Sequence, residues 1–258
     1  MLAKGNSLLL ARFTEREIFT RFAGSTLGFL WALLGPLLLL GIYSFVFGQL
    51  FQQRQGDLAT DSYTLFVAIA LWPWMMFSDG VLRCMQSIHT NAALVKKVAF
   101  PHLLLVLAAN NSVFLVHLAG YVAVLAVLAL AGSSIDLAGI PVVLMSIITL
   151  YLFSLALGAI LAAMQTLLRD VEQAIAPAMM MLYYLTPVLY PITLIPMQYR
   201  HWLTWNPLAY VIQRMRDGLL LGQGLQMGDF GMLFAGVVAA ILGVAFFIRL
   251  SPYFEDFL

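Results

Sequence analysis

The side chains able to do chemistry are few, and their spacing argues against most chemistries. A phosphate-cradling loop needs a lysine followed by Ser or Thr. The three lysines, Lys4, Lys96 and Lys97, are followed by Gly5, Lys97 and Val98. His89, His102, His117 and His201 show no metal-ligand spacing with Cys84 or with carboxylates. No Gly-x-Ser-x-Gly nucleophile elbow occurs. Two groupings of charge remain. Asp79 and Arg83 lie one helical turn apart and suit a pair on one helix face. Arg169, Asp170 and Glu172 form a tight cluster. Neither resembles an acid–base site, and the single cysteine cannot form an internal disulfide. In-chain catalysis, a resident ATP site and ion coupling through buried acids are all poorly supported, so any driven process would draw its energy from a partner.

The elements that must carry these groups follow from the scarcity of charge. Of 258 residues 62% are hydrophobic and only 10% charged, 13 Lys+Arg against 12 Asp+Glu. Soluble domains average about 25% charged residues. A net charge of +1 gives no electrostatic case for nucleic acid. Six charge-free runs of 17 or more residues lie between Arg21 and Arg54, Asp61 and Asp79, Lys97 and Asp136, Asp136 and Arg169, Glu172 and Arg200, and Asp229 and Arg249. A helix crossing about 30 Å of hydrocarbon needs about 20 residues, within a range of roughly 17–25. Every Asp and Glu lies outside these runs, with Asp79 at a boundary.

The spacing predicts one all-α membrane domain over residues 1–258. It comprises an interface helix at 1–22 and spans at 27–50, 63–85, 103–130, 140–168, 174–195 and 230–248. A cytoplasmic segment occupies 86–101, and an outer segment of short or re-entrant helices occupies 196–229. In residues 1–22, Leu8, Ala11, Ile18 and Phe22 share a helical stripe that Glu15 interrupts. Asn91–Val95 suits a short helix ending in Lys96 and Lys97, where cations suit the helix dipole. Asn110, Asn111 and His117 lie at depth in the third span and read as partners for neighbouring helices. Pro177, Pro187, Pro191 and Pro196 break the fifth span, so a helix to about Leu185 followed by short pieces through Tyr210 is expected. Asn206-Pro207 is a turn signal. An even number of spans puts both termini on one side. With that side cytoplasmic, nine basic residues lie inside against four outside, as the positive-inside rule requires. No cleavable signal peptide is expected, because the apolar stretch Leu8–Ala11 is too short.

Several stretches in order resemble the ABC-2 type polysaccharide-export permeases. They are Arg16 through Gly28-Phe-Leu-Trp31 to Gly35-Pro36, Leu71-Trp-Pro-Trp-Met-Met-Phe-Ser78, Asn91 through Lys96-Lys97-Val-Ala-Phe-Pro101, Leu168-Arg-Asp-Val171, Tyr184-Leu-Thr-Pro-Val-Leu-Tyr-Pro191, and Trp205-Asn-Pro-Leu208 through Arg214. Each is weak alone; their order and spacing cover nearly the whole chain.

The resemblance implies a homodimer in a bacterial inner membrane, both termini cytoplasmic. It would be bound to two copies of a separate ATPase that holds ATP and Mg, with no cofactor in this chain. The substrate would be a lipid-linked polysaccharide, of O-antigen or capsular type, moving through a channel between the two copies. The ATPase-coupling elements would be Glu15, Arg16 and Arg21 with Asn91, Lys96, Lys97, Phe100 and Pro101. Lys96 and Lys97 also serve as topology anchors beside anionic membrane lipids. Flat sugar faces stack on aromatic rings, so Trp31, Tyr43, Phe47, Trp72, Trp74, Phe77, Tyr183, Tyr184 and Tyr190 are candidates to line the path. The same rings also suit interfacial belts and packing. Pro187, Pro191, Pro196, Asn206, Pro207 and Arg214 are candidates for an outer gate. An ABC-2 exporter of small lipids or drugs, an intramembrane lipid-linked sugar transferase and a non-catalytic scaffold stay open as alternatives.

Overall fold

A computed structural model describes residues 4–50, 62–168 and 170–258, which form helices and turns with no strand among them. In chain order the helices are α1 (Lys4–Phe22), α2 (Trp31–Tyr43), α3 (Tyr63–Thr90), α4 (Ala92–Lys97), α5 (Leu103–Leu130), α6 (Ile140–Leu167), α7 (Val171–Leu185), α8 (Met197–Thr204), α9 (Pro207–Leu221), α10 (Met227–Leu250) and α11 (Phe254–Phe257). Wider π turns carry α2 on through Ser44–Leu50. The outer loop expected at 52–62 falls almost wholly outside the described residues, as do Arg54 and Arg169.

Among the described residues five segments are long and apolar enough to cross a membrane: Gly28–Leu50, Tyr63–Thr90, Leu103–Leu130, Leu137–Leu167 and Met227–Tyr253. That is one fewer than expected. The predicted span at 174–195 is instead α7, 15 residues long. At 1.5 Å per residue it covers roughly 22 Å, short of about 30 Å of hydrocarbon. It stops at Leu185 because Thr186 turns extended ahead of Pro187, whose ring disfavours helix in the residue before it. A 3₁₀ turn at Ile192–Leu194, α8 and α9 follow. The cytoplasmic segment predicted from 86 is also shorter at its start, since α3 runs on to Thr90.

The termini of these helices are set locally. The Ser62 hydroxyl accepts from the Leu65 amide at the start of α3. Asn206 caps α9, where Pro207 occupies the first turn and needs no amide partner. α9 ends at Gly222, with φ of 63°, a left-handed C-cap that favours glycine. Gln226 and Asp229 form a reciprocal capping box at the start of α10.

Helix α3 is the axis of the molecule. It packs against α5, α6, α9 and α2, while α10 covers the far side of α6 and α1 lies along α5. Residues Leu65–Trp74 are all buried. A polar seam ties α5 to α6 and reaches α3, where the Ser154 hydroxyl lies 3.5 Å from the Phe77 carbonyl. The Ser154 hydroxyl donates to Asn110 Oδ1 at 2.8 Å, Asn110 Nδ2 donates to the Tyr151 carbonyl, and the Tyr151 hydroxyl donates to Asn111 Oδ1 at 2.6 Å. These are interhelical bonds of the kind that replaces water at membrane depth. Gly80 sits where any side chain would collide with Ser154 and Asn110.

On α1 the face against protein is Leu10, Phe13, Thr14, Glu17 and Arg21. Of the predicted stripe, Leu8 and Ala11 are exposed, as is Glu15, while Ile18 and Phe22 are half-buried.

Candidate functional site

Between α2, α3 and α7 lies a cavity of about 300 Å³ lined by Tyr43, Trp74, Met75, Ser78, Met179 and Tyr183, among others. Its rings form a connected series. Trp74 lies 5.4 Å from Tyr183 and 6.0 Å from Phe77, Tyr43 stacks on Tyr183 at 6.4 Å, and Phe47 lies 6.4 Å from Tyr43. Tyr184 continues the series from Tyr183 at 5.4 Å and is exposed. Such tilted and offset contacts are the favoured aromatic geometries. Six of the predicted rings therefore meet. Trp31 is half exposed at the start of α2 and makes no ring contact with them. Trp72 points the other way, wholly buried with its indole edge toward Gly120 of α5. Phe77 belongs to the series but is itself buried.

Toward the C-terminal end of α3 the charges gather. The pairing expected between Asp79 and Arg83 is not made. Asp79 Oδ2 instead accepts from Arg21 Nη2 at 3.2 Å and lies 2.9 Å from His117 Nε2. One carboxylate thus joins α1, α3 and α5, and the partners come from helices that local spacing cannot see. Glu172 accepts from the amides of Gln86 and Gln165, each at 3.1 Å.

Beyond this lie the residues expected to couple to an ATPase. Arg16 donates to Asn91 Oδ1, and Asn91 Nδ2 donates to the Ser87 carbonyl. Phe13 meets Phe100 edge-on at 5.6 Å. His102 stacks on Phe254 at 6.2 Å, which brings the C-terminal segment to the same point. Burial there holds the His102 imidazole below its ordinary range, against the opposing pull of Glu255. Glu15, Lys96, Lys97 and Pro101 stand exposed around these contacts, with Glu15 paired to Arg12 at 2.9 Å. Arg21 is the exception among the predicted coupling residues, since it turns inward to Asp79.

The segment after α7 is pinned by two arginines. Arg214 donates to both oxygens of Asp229 at 2.8 and 3.0 Å, to Gln223 Oε1 and to the Gly224 carbonyl, locking α9 to α10. Arg216 is buried. It donates to the carbonyls of Pro187 and Val188 at 2.6 Å each and of Phe66 at 3.3 Å, with its guanidinium 3.5 Å from the Phe66 ring. The Pro187 and Val188 carbonyls are ones that the break after α7 leaves without helical donors. Asn206 Nδ2 donates to Thr186 Oγ1 at 3.0 Å, tying the end of α7 to the start of α9. Pro191 opens the 3₁₀ turn, and Pro196 precedes α8. Between these pieces is a cavity of about 660 Å³ whose lining includes Tyr190, Trp205, Asn206 and Pro207. Sequence spacing pointed to Arg214 but not to Arg216, whose partners lie 28 to 150 residues away.

Among the described residues no group of three His, Cys, Asp or Glu side chains gathers as a metal site. What the arrangement offers is a ring-lined groove with charge gathered at one end and arginine-braced joints at the other.

Residues 9–220 match the family described as ABC-2 type transporter. The chain is 28% identical over 254 residues to an O-antigen export system permease protein RfbA of Klebsiella pneumoniae, covering 97% of this chain and 95% of the relative. It is 26% identical over 239 residues to the polysialic acid transport protein KpsM of Escherichia coli, 90% of this chain and 89% of that one. A Myxococcus xanthus O-antigen export system permease protein RfbA is 31% identical over 193 residues, 72% and 70% of the two chains.

Proposed function

Because the chain belongs to the ABC-2 type transporter family, we propose that it is the membrane subunit of an ATP-driven polysaccharide exporter. Two copies form the channel, and two copies of a separate ATPase bind and hydrolyse ATP with Mg. The substrate is a lipid-linked polysaccharide of O-antigen or capsular type, moved across the bacterial inner membrane. The observation that carries this reading is similarity over almost the full length to permeases named for O-antigen export. The groove supports it: Tyr43, Trp74 and Tyr183 present a row of ring surfaces, which gives a sliding polymer many weak contacts and no single tight site. The coupling face supports it too, since α1 and residues 91–101 meet through Arg16–Asn91 and Phe13–Phe100 and leave Lys96 and Lys97 exposed for a soluble partner.

In this reading the sixth passage through the membrane is made by α7 together with residues 186–196, which returns both termini to the cytoplasm. Residues 196–229 form the outer gate.

The test is genetic and biochemical. Loss of the gene should abolish surface polymer and leave it inside the cell, while purified chain alone should hydrolyse no ATP. Robust hydrolysis by the chain alone, or unchanged surface polymer, would sink the reading. Tyr43→Leu with Tyr183→Leu keeps apolar volume and removes two rings. It should lower export about ten-fold with ATPase assembly intact, measured as surface polymer per assembled complex.

A further inference from the structure

The ring-lined cavity does not end where its rings do. It shares Leu82 of α3 and Ala176 of α7 with a second cavity of about 380 Å³, toward the C-terminal end of α3. Leu71, Ser78, Leu82 and Gln86 repeat along one face of α3, so the two cavities make one groove running roughly 22 Å at 1.5 Å per residue. Its upper part carries no charged side chain. Its lower part is lined by Arg21, Asp79, Arg83, Gln86 and Glu172.

These groups are unequally engaged. Asp79 has Arg21 and His117, and Glu172 has two amides. Arg21 Nη1 is buried with no acceptor. Arg83 lines the cavity without an ion-pair or hydrogen-bond partner among the described residues. The formal charges of the five residues sum to zero, so any anion would be held by directed donors rather than by net field. A guanidinium offers five donors in a planar fork that matches an oxyanion.

We propose that Arg83, seconded by Arg21, binds the phosphate ester that joins lipid to sugar in the exported molecule, so that the sugar chain is laid along Trp74, Tyr183 and Tyr43. This rests on the export reading and adds to it where the lipid end is held. A carboxylate on an acidic sugar has the same fork geometry, but it would recur along the polymer and call for arginines along the groove. Among the described residues that line the groove, Arg83 is the uncommitted arginine and stands at one end, as a group found once per molecule requires.

The test uses the complete permease–ATPase complex in phosphatidylcholine nanodiscs, titrated with farnesyl phosphate, farnesol and a sialic acid tetramer. Farnesyl phosphate should bind the natural chain about ten-fold more tightly than Arg83→Gln, the loss expected for one charge-assisted hydrogen bond. Arg83→Lys should recover part of the difference, and farnesol should bind all three alike. Equal farnesyl phosphate affinity in all three proteins overturns the proposal. So does an Arg83 dependence seen with the tetramer alone, which would assign the site to sugar carboxylates. Displacement by phosphatidylglycerol at matching concentration also overturns it, by assigning the site to bulk lipid headgroups. Surface polymer in the same strains separates the two readings: normal export from Arg83→Gln removes the phosphate site and leaves export standing, whereas normal surface polymer without the gene removes export itself.

Discussion

The arginines at the two ends of this molecule are used in opposite ways. On α9 Arg214 and Arg216 are 4% and 2% exposed, and each makes at least three hydrogen bonds, to Asp229, to Gln223 and to backbone carbonyls. Near the C-terminal end of α3 Arg21 has a nitrogen without an acceptor and Arg83 has no partner among the described residues. The α9 pair braces the joints on either side of the proline-broken segment, whereas Arg83 leaves its donors facing a cavity. A guanidinium with every nitrogen engaged serves the scaffold. One whose donors are idle beside a groove can take a ligand, the role proposed for Arg83. Residue type alone does not separate the two roles, and the count of satisfied donors does.

Substitutions break or sharpen this contrast on one scale, the change in unfolding free energy of the detergent-solubilised chain. Arg214→Ala should do most damage, about 3–5 kcal/mol, because it leaves the Asp229 carboxylate buried and unpaired; a midpoint shift of only a degree or two would refute the brace. Arg216→Met should cost less, about 1–3 kcal/mol, since it strands carbonyls but also removes a buried charge. Arg216→Lys should not recover the loss, because one ammonium cannot reach carbonyls on both α3 and the segment after α7. Arg83→Gln should move stability by no more than about 0.5 kcal/mol while export falls, the reverse of the α9 pattern. Smallest of all on stability is Lys96→Glu with Lys97→Glu. Export should fail there because the partner ATPase no longer couples, and unchanged export would take α4 off the coupling face.

Much of the fold could be read from where charge is missing. α5 and α6 sit within a residue of their predicted bounds, because Lys97, Asp136 and Arg169 fence them. The break after Leu185 was legible in Pro187. The height of α7 was not, since a charge-free run measures the absence of charge and not the persistence of helix. Which rings would meet was only half legible. α3 is buried on every side between Leu65 and Trp74, so periodicity offers no face to choose, and Trp72 and Trp74 looked equivalent. Asp79 was visible as a boundary charge, yet its partners lie 38 and 58 residues away. Arg83 at i+4 was the only partner that local spacing could nominate.

The enclosure of α3 also bears on how the chain is made. It is the least apolar of the five long helices and the one most enclosed by protein, 78% of its central window against 22% for α10. It carries Pro73, Asp79 and Arg83, and acidic and basic residues weigh against spontaneous partition into lipid. Its hydrogen-bond partners His117, Tyr121 and Ser154 belong to helices synthesised later. Biogenesis should therefore be delayed rather than sequential: α3 waits beside the insertion machinery until α5 and α6 emerge. Nascent chains stopped just past Thr90 should crosslink to that machinery and resist membrane extraction poorly, whereas chains stopped past Leu167 should be released and firmly integrated.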